Sequence, residues 1–226
     1  MATTLAFDVY GTLIDTHGVM AALEPHLGAR AAEFSRLWRD KQLEYSFRRG
    51  LMGRYEDFAR CTAEALDYAC ASFKAPLDAT QRGALLEAYR VLPAFPDVEE
   101  GLRRAKELDF RPFAFSNGRA EAVEALLAHA GIRHHFLDVV SVDEVKSFKP
   151  DPAVYAHFLR RAGTTAGEAW MISGNPFDVL GALGAGMRAA WVRRSPGTPF
   201  DPWGQEPTLT VPSLAGLPGA IRAQAV

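Results

Sequence analysis

Cysteine is scarce: two stand among 226 residues. They are Cys61 and Cys70, in a helical-looking stretch without CxxC spacing and without histidines at zinc-ligand spacing. That argues against a disulfide framework and a zinc site, and two reduced, packed thiols are the expectation. An excess of either charge sign is also lacking. Lys and Arg total 25 against 27 Asp and Glu, a formal net charge of −2. Such a surface offers no basic footprint for nucleic acid or an anionic membrane. No apolar run reaches the roughly 18 residues a membrane-spanning helix needs. The chain enters a strand-like run at once, without the basic region and apolar segment of a secretory signal, so a cytoplasmic location is the expectation. No internal repeat and no low-complexity tract is visible.

What is present is the balance of a soluble globular protein, with 48% hydrophobic and 23% charged residues. The length allows one or two domains and a sizeable core. "TLAFDVY" (4–10) reads as a buried strand closed by Gly11. From about residue 16 to 92 the period becomes helical. Phe34, Leu37, Trp38, Lys41 and Tyr45 recur at helical steps, as do Phe58, Cys61, Ala65 and Tyr68, then Leu85, Leu86, Tyr89 and Leu92. "LPAFPD" (92–97) is a proline-rich return linker.

Strands and helices then alternate. "RPFAFSNG" is a strand into a turn, and "AEAVEALLAHAG" is a helix closed by Gly131. "HFLDVVSV" (135–142) is a strand, and "DPAVYAHFLRRAG" a helix with an early proline and a terminal glycine. "AWMISGN" is a strand, "FDVLGALGAGM" a helix and "RAAWV" a strand. The Pro/Gly-rich stretch from about 195 holds one more short strand ("PTLTV") and a terminal helix. This alternation predicts an α/β fold: a Rossmann-like parallel sheet with helices on both faces and a helical cap inserted after the first strand. The expected domains are an α/β core of 1–15 and 93–226, and a cap of 16–92.

Ligands of open α/β sheets gather at the carboxyl ends of the strands. Asp8 to Thr12, Ser116-Asn117-Gly118 and Ser173 to Asp178 all fall there, and Lys149 lies just beyond another strand end. Each alone is ordinary turn chemistry. Their convergence is what marks a candidate active site.

These motifs, in this order, resemble the haloacid dehalogenase superfamily. "DVYGTL", "LWRDKQLEYSFRRGLMGRYEDF", "SNG", "FKPDPAVY" and "SGNPFD" are similar to its L-2-haloacid dehalogenases, the long helical segment being the most specific. Related phosphatases place an acid two residues after the nucleophile and bind Mg²⁺ through carboxylates, one of them four residues before the last aspartate. Here those positions hold Tyr10 and Gly174. A halide leaves without a proton, and a monoanionic carboxylate needs no Mg²⁺ to offset phosphate charge. The resemblance therefore implies hydrolysis of short-chain 2-haloacids with no metal and no cofactor.

It implies roles as well. Asp8 would be the nucleophile, its carboxylate form favoured by Lys149. Thr12 would orient Asp8, form the turn, or both. Ser116 would hold the substrate carboxylate, and Asn117 and Arg39 the departing halide. Ser173, Asn175 and Asp178 would orient Lys149 and the hydrolytic water. Asp178 has a plainer alternative in capping the following helix. Tyr155 is given a supporting hydrogen bond, or simple packing. Tyr10, Leu43, Phe58 and Phe177 would form an apolar pocket, although periodicity alone makes Phe58 core. Arg39 shares a helix face with Leu43 and, more loosely, Phe47.

One loop departs from the subfamily pattern: Gly174 replaces a serine and Pro176 a small flexible residue, which puts the second half-reaction in doubt. The six histidines match no motif position. The expected partners are a 2-haloacid and halide, with no nucleic acid or membrane, and a second copy in a homodimer through the cap. The alternatives are an Mg²⁺-dependent small-molecule phosphatase of the same superfamily and a non-catalytic protein that keeps the fold.

Overall fold

The structure, a computed structural model, describes residues 3–224. Six strands form one sheet: β1 (Thr4–Asp8), β2 (Arg111–Ser116), β3 (Val139–Ser141), β4 (Ala169–Ser173), β5 (Arg188–Val192) and β6 (Leu209–Val211). Their order is β3-β2-β1-β4-β5-β6 and every pairing is parallel. β1 thus lies between β2 and β4, where the order of the sheet reverses and α/β folds bind their ligands. Every residue of β1 and β4 is buried, which explains their unbroken apolar runs.

Successive side chains of β1 feed two separate cores. Leu5 and Phe7 join one, with Leu13, Ile14, Phe34, Trp38 and Tyr89. Ala6 joins the other, with Phe115, Tyr155 and Phe158. That is the period of two expected of a strand with both faces covered.

Four helices separate β1 from the rest: α1 (Met20–Leu27), α2 (Ala31–Leu51), α3 (Phe58–Phe73) and α4 (Ala79–Ala88). Asp57 caps α3 by accepting from Arg60 N (2.8 Å), and Asp78 with Gln81 forms a capping box on α4. The indole of Trp38 ties α2 to α3 by donating to Thr62 O (2.9 Å). The chain leaves and re-enters the sheet region side by side: Asp15 N donates to Pro93 O (2.8 Å) and Phe95 N to Leu13 O (3.0 Å).

The remaining helices are α5 (Val98–Glu107), α6 (Ala120–His129), α7 (Pro152–Ala162), α8 (Pro176–Gly184) and α9 (Leu217–Ala223). Helix α5 is absent from the sequence reading. It is rich in charge and buries only a narrow stripe, Val98, Gly101, Leu102 and Ala105. The strand expected over 135–142 shrinks to Val139–Ser141. A tight turn at Arg133–His135 runs into its first residue, and Leu137 is exposed, so the apolar letters there do not alternate into a core. Cys61 and Cys70 are buried and free. Among the described residues no helix is long and apolar enough to cross a membrane.

Candidate active site

The site begins with the turn after β1. Gly11 takes a left-handed φ of +84°, which L residues rarely adopt. The N–H groups of Leu13 and Ile14 fold back onto Val9 O (3.0 and 2.9 Å), so Thr12 lies beside Asp8. Thr12 Oγ1 donates to Asp8 Oδ2 (2.7 Å). Threonine here both builds the turn and holds the acid.

β2 and β4 supply the flanks by register, since Asp8 pairs with Phe115 and Phe7 with Ile172. Ser116 and Ser173 follow those partners directly. Asn175 Nδ2 donates to Asp8 Oδ2 (2.8 Å) and to Tyr10 O (3.1 Å). Ser173 Oγ lies 3.4 Å from Asp8 Oδ2. The other oxygen of Asp8, Oδ1, receives Lys149 Nζ (3.2 Å).

Lys149 is only 1% exposed. A buried ammonium needs acceptors for its N–H groups. It finds Asp8 Oδ1, Asp178 Oδ2 (2.9 Å) and Phe115 O (2.8 Å), and it sits 4.1 Å from the Phe115 ring centroid. Tyr155, also buried, donates its hydroxyl to Asp178 Oδ1 (2.8 Å). Burial pushes the Asp178 carboxyl up to about 6, against the lowering pull of the Lys149 ammonium. Burial likewise raises the Tyr155 phenol well above its ordinary value, with Asp178 adding to it. Tyr155 is therefore a neutral donor.

Several sequence expectations are corrected in detail. Asn175 and Ser173 direct their hydrogen bonds to Asp8, and of these three residues Asp178 is the one bonded to Lys149. Asp178 does not cap α8, because its carboxylate is turned inward onto Lys149 and Tyr155. Tyr155 is more than packing, since its hydroxyl fixes Asp178.

A second group of candidate residues comes from the end of β2 and from α2. Ser116 Oγ accepts from Gly118 N (3.1 Å), and Asn117 Oδ1 accepts from Lys149 N (3.0 Å). Arg39 enters from α2, donating from Nη2 to Tyr10 O (3.3 Å), the same carbonyl that Asn175 binds. Arg39, Gly11, Asn175 and Tyr89 line one cavity of about 500 Å³. The insert's arginine thus shares a cavity with Gly11, in the turn after Asp8, and with Asn175, which donates to Asp8.

Tyr10 is half-buried between Phe58 (ring centroids 5.8 Å) and Tyr89 (6.1 Å). Burial raises its phenol above the ordinary value, which leaves it neither acid nor base at neutral pH. Phe58 is buried against both Tyr10 and Phe148, so it is core and wall at once. Phe177 meets Phe47 of α2 edge to face at 4.9 Å, joining α8 to the insert. Leu43 is half-buried one turn along α2 from Arg39.

Four residues escaped sequence reasoning. Gln42 and Tyr89 brace Arg39, described below. Arg194 grips Asp97 with Nη1 (2.6 and 2.7 Å) and donates from Nη2 to Thr12 O (2.6 Å), pinning the turn after β1 from beyond β5. Their roles depend on packing across the fold: Gln42 reaches Thr62, Tyr89 reaches Gln42, and Arg194 joins Asp97 to Thr12. Gly174 makes a close approach to the turn after β1. Its N–H donates to Thr12 Oγ1 (2.8 Å), and a Cβ at this position would collide with the Gly11 carbonyl oxygen. Glycine is what lets the two loops close on Asp8. Gly174→Ala is expected to keep the fold and lower turnover roughly a hundredfold, the scale of a displacement near 1 Å at the reacting group. Steady-state rates with thermal denaturation check this; unchanged turnover in the folded variant would remove the close approach from the argument.

The chain resembles known proteins over most of its length. A family model described as a haloacid dehalogenase-like hydrolase matches residues 2–186. An (S)-2-haloacid dehalogenase of Pseudomonas sp. (strain YL) is 38% identical over 94% of this chain and 91% of its own. A haloacetate dehalogenase H-2 of Moraxella sp. (strain B) is 38% identical over 94% and 95%. The L-2-haloacid dehalogenase of Xanthobacter autotrophicus with chloropropionic acid covalently bound superposes with a TM-score of 0.91, at 33% identity, over 98% of this chain and 99% of that one.

Proposed function

The chain belongs to the haloacid dehalogenase-like hydrolases, and within that family we propose that it hydrolyses short-chain 2-haloalkanoic acids to 2-hydroxy acids and halide. The observation that carries the reading is the setting of Asp8. Thr12 and Asn175 donate to one of its oxygens and Lys149 to the other, and Asn175 lines one cavity with Arg39.

In this reading the substrate carboxylate rests on Ser116 and the backbone N–H groups beside it. A carboxylate oxygen of Asp8 attacks C2 opposite the halogen. The C2–O bond forms as the carbon–halogen bond breaks, the halide takes the bonding pair, and Arg39 and Asn117 receive it. Backside attack inverts C2. Water then adds to the carbonyl carbon of the Asp8 ester and the alkoxide side leaves as the 2-hydroxy acid. One water proton ends on the product hydroxyl and one goes to solvent, which restores the carboxylate. Lys149 offsets the negative charge that gathers on the ester oxygen during hydrolysis. The helical insert, residues 16–92, acts as a cap over a core of 1–15 and 93–226. A homodimer through this cap and a cytoplasmic location belong to the same proposal. Leu51 and Met52, exposed at 90% and 61% on the insert, are apolar surface such a dimer would cover.

The direct test is halide release from a panel of fluoro-, chloro- and bromo-acids, with both enantiomers of each chiral acid. It is joined by a single turnover in ¹⁸O-water with enzyme in excess. Label is expected in the Asp8 carboxylate and not in the first hydroxy acid formed. Label in that first product would mean direct attack by water and would end the ester mechanism.

Metal independence rests on the donor set. The cation between Asp8 and Asp178 is the chain's own ammonium, and Tyr10 and Gly174 stand where metal-binding phosphatases carry acids. Activity in excess chelator is expected to equal that in buffer. Its loss, with hydrolysis of a generic phosphate ester restored by Mg²⁺, would favour the phosphatase.

Asp178 also sets the acid side of the pH profile. Its carboxyl is raised, so it takes a proton at higher pH than an exposed aspartate. Only the ionised form holds Lys149 as an ion pair. Turnover is therefore expected to fall as pH drops through about 6 and to be complete above it. The Asp178→Asn variant should be slower throughout and lack that limb; retention of the limb would assign it to another group.

A further inference from the structure

The guanidinium of Arg39 is held as carefully as Asp8, by a residue of the same helical motif to which the sequence reading gives no role. Gln42, one turn further along α2, is completely buried. Its Oε1 accepts from Arg39 Nη1 (2.6 Å) and lies 3.4 Å from the Tyr89 hydroxyl. Its Nε2 donates to Thr62 Oγ1 (2.5 Å), which in turn donates to Phe58 O (2.8 Å) on α3. A chain of hydrogen bonds thus runs from the backbone of α3 to the tip of Arg39.

We propose that Gln42 is the positioning residue for the halide-binding cation: a neutral, fully satisfied acceptor that aims Arg39 into the cavity without cancelling its charge. The inference rests on Arg39 as the halide acceptor. Two features of the chain support it. First, Arg39 spends one Nη1 and one Nη2 hydrogen on protein, at Gln42 and Tyr10 O, and its remaining N–H groups stay available to an anion. Second, both anchors are uncharged. A carboxylate at either place would pair with the guanidinium and remove the positive potential that an outgoing halide needs. Glutamine is the side chain that gives this reach, an acceptor for Arg39 and a donor for Thr62 at once. Leucine or methionine would fill the space but leave Thr62 and Arg39 without their partner.

The titratable and charged groups around position 42 are Arg39 on the same helix and Tyr89 against it. Across a second cavity of about 330 Å³ that Gln42 lines stand Tyr10, Asp57, Glu87, Arg90 and Arg119. Burial raises the phenols of Tyr89 and Tyr10, so neither contributes charge at neutral pH.

The test compares Gln42→Glu, Gln42→Met and Thr62→Val with the unaltered protein. Bromide binding to the resting protein is measured by calorimetry, independently of turnover, alongside halide release and thermal denaturation. Gln42→Glu is expected to weaken bromide at least tenfold at pH 8, the scale of one hydrogen bond to a charged group. That loss should recover as pH falls and the introduced carboxyl takes a proton. Gln42→Met should weaken bromide and lower kcat at every pH, because the cation is then free to swing. Thr62→Val should do the same to a smaller degree. A merely structural glutamine would lower stability in all three variants and leave bromide affinity and its pH dependence untouched, and that result would overturn the proposal. Failure of the dehalogenase reading looks different: the unaltered protein would release no halide from any haloacid, while bromide affinity would still report on Gln42.

Discussion

Asp8→Asn is expected to abolish halide release, by about ten-thousand-fold or more, while the protein still folds. The reason is chemical before it is structural. An amide oxygen is a far weaker nucleophile than a carboxylate, and an ester on Asp8 is the proposed route to product. The surroundings make the loss sharper. Oδ2 receives Thr12 Oγ1 and Asn175 Nδ2, so the amide oxygen must take that place. The amide NH₂ is then turned toward Lys149 Nζ, donor against donor, at the 3.2 Å now spanned by an ion pair. Lys149 keeps Asp178 and Phe115 O. The cost to stability should accordingly be modest, about 1–3 kcal/mol. Rates and thermal denaturation on the same sample separate the two effects. Turnover near that of the unaltered protein would end the nucleophile assignment.

The position of Asp8 was legible in the sequence because its cause is local. A short apolar strand ending in Asp, followed by Gly and Thr, can only put that acid at the carboxyl end of β1. Alternation of strands and helices then brings Ser116, Lys149 and Ser173 to the same end of the parallel sheet. What could not be read was partner choice. Asn175 and Asp178 are three residues apart on one loop-to-helix junction, yet one faces Asp8 and the other Lys149. Their letters carry no direction; the geometry of that junction decides it. Nor could Gly174 be understood before Gly11 was seen to pass against it. The absent serine reads as a deficit along the chain, whereas in space the glycine sits against the Gly11 carbonyl, where a Cβ would collide. Helix α5 escaped for a third reason, since its apolar face is too narrow to stand out among glutamates and arginines.

Lys149→Met should produce the second large effect, in stability and activity together. The side chain is of similar length and apolar, so the loss is mainly of charge and donors. Asp8 and Asp178 would then share a closed space with no cation between them. Removing one partner of a buried ionic group costs about 3–5 kcal/mol, because the other charge is left uncompensated. For a chain of this size that is a fall in Tm of roughly 6–20 °C. Two carboxylates in one site also cannot both stay ionised easily, so one of them binds a proton at higher pH than before. If Asp8 takes that proton, the nucleophile is lost at neutral pH. Adding Asp178→Asn to Lys149→Met separates these consequences. With the second carboxylate gone, much of the stability should return. Activity should not, because no ammonium remains to stabilise the oxygen that gains charge as the ester is hydrolysed. Ester accumulated on Asp8, visible by mass spectrometry of the quenched double variant, would show that the first step survives and the second has stalled. If instead the single Lys149→Met variant kept both its Tm and its turnover, the lysine would be reduced to a packing residue and the ion-pair account of the site would fail.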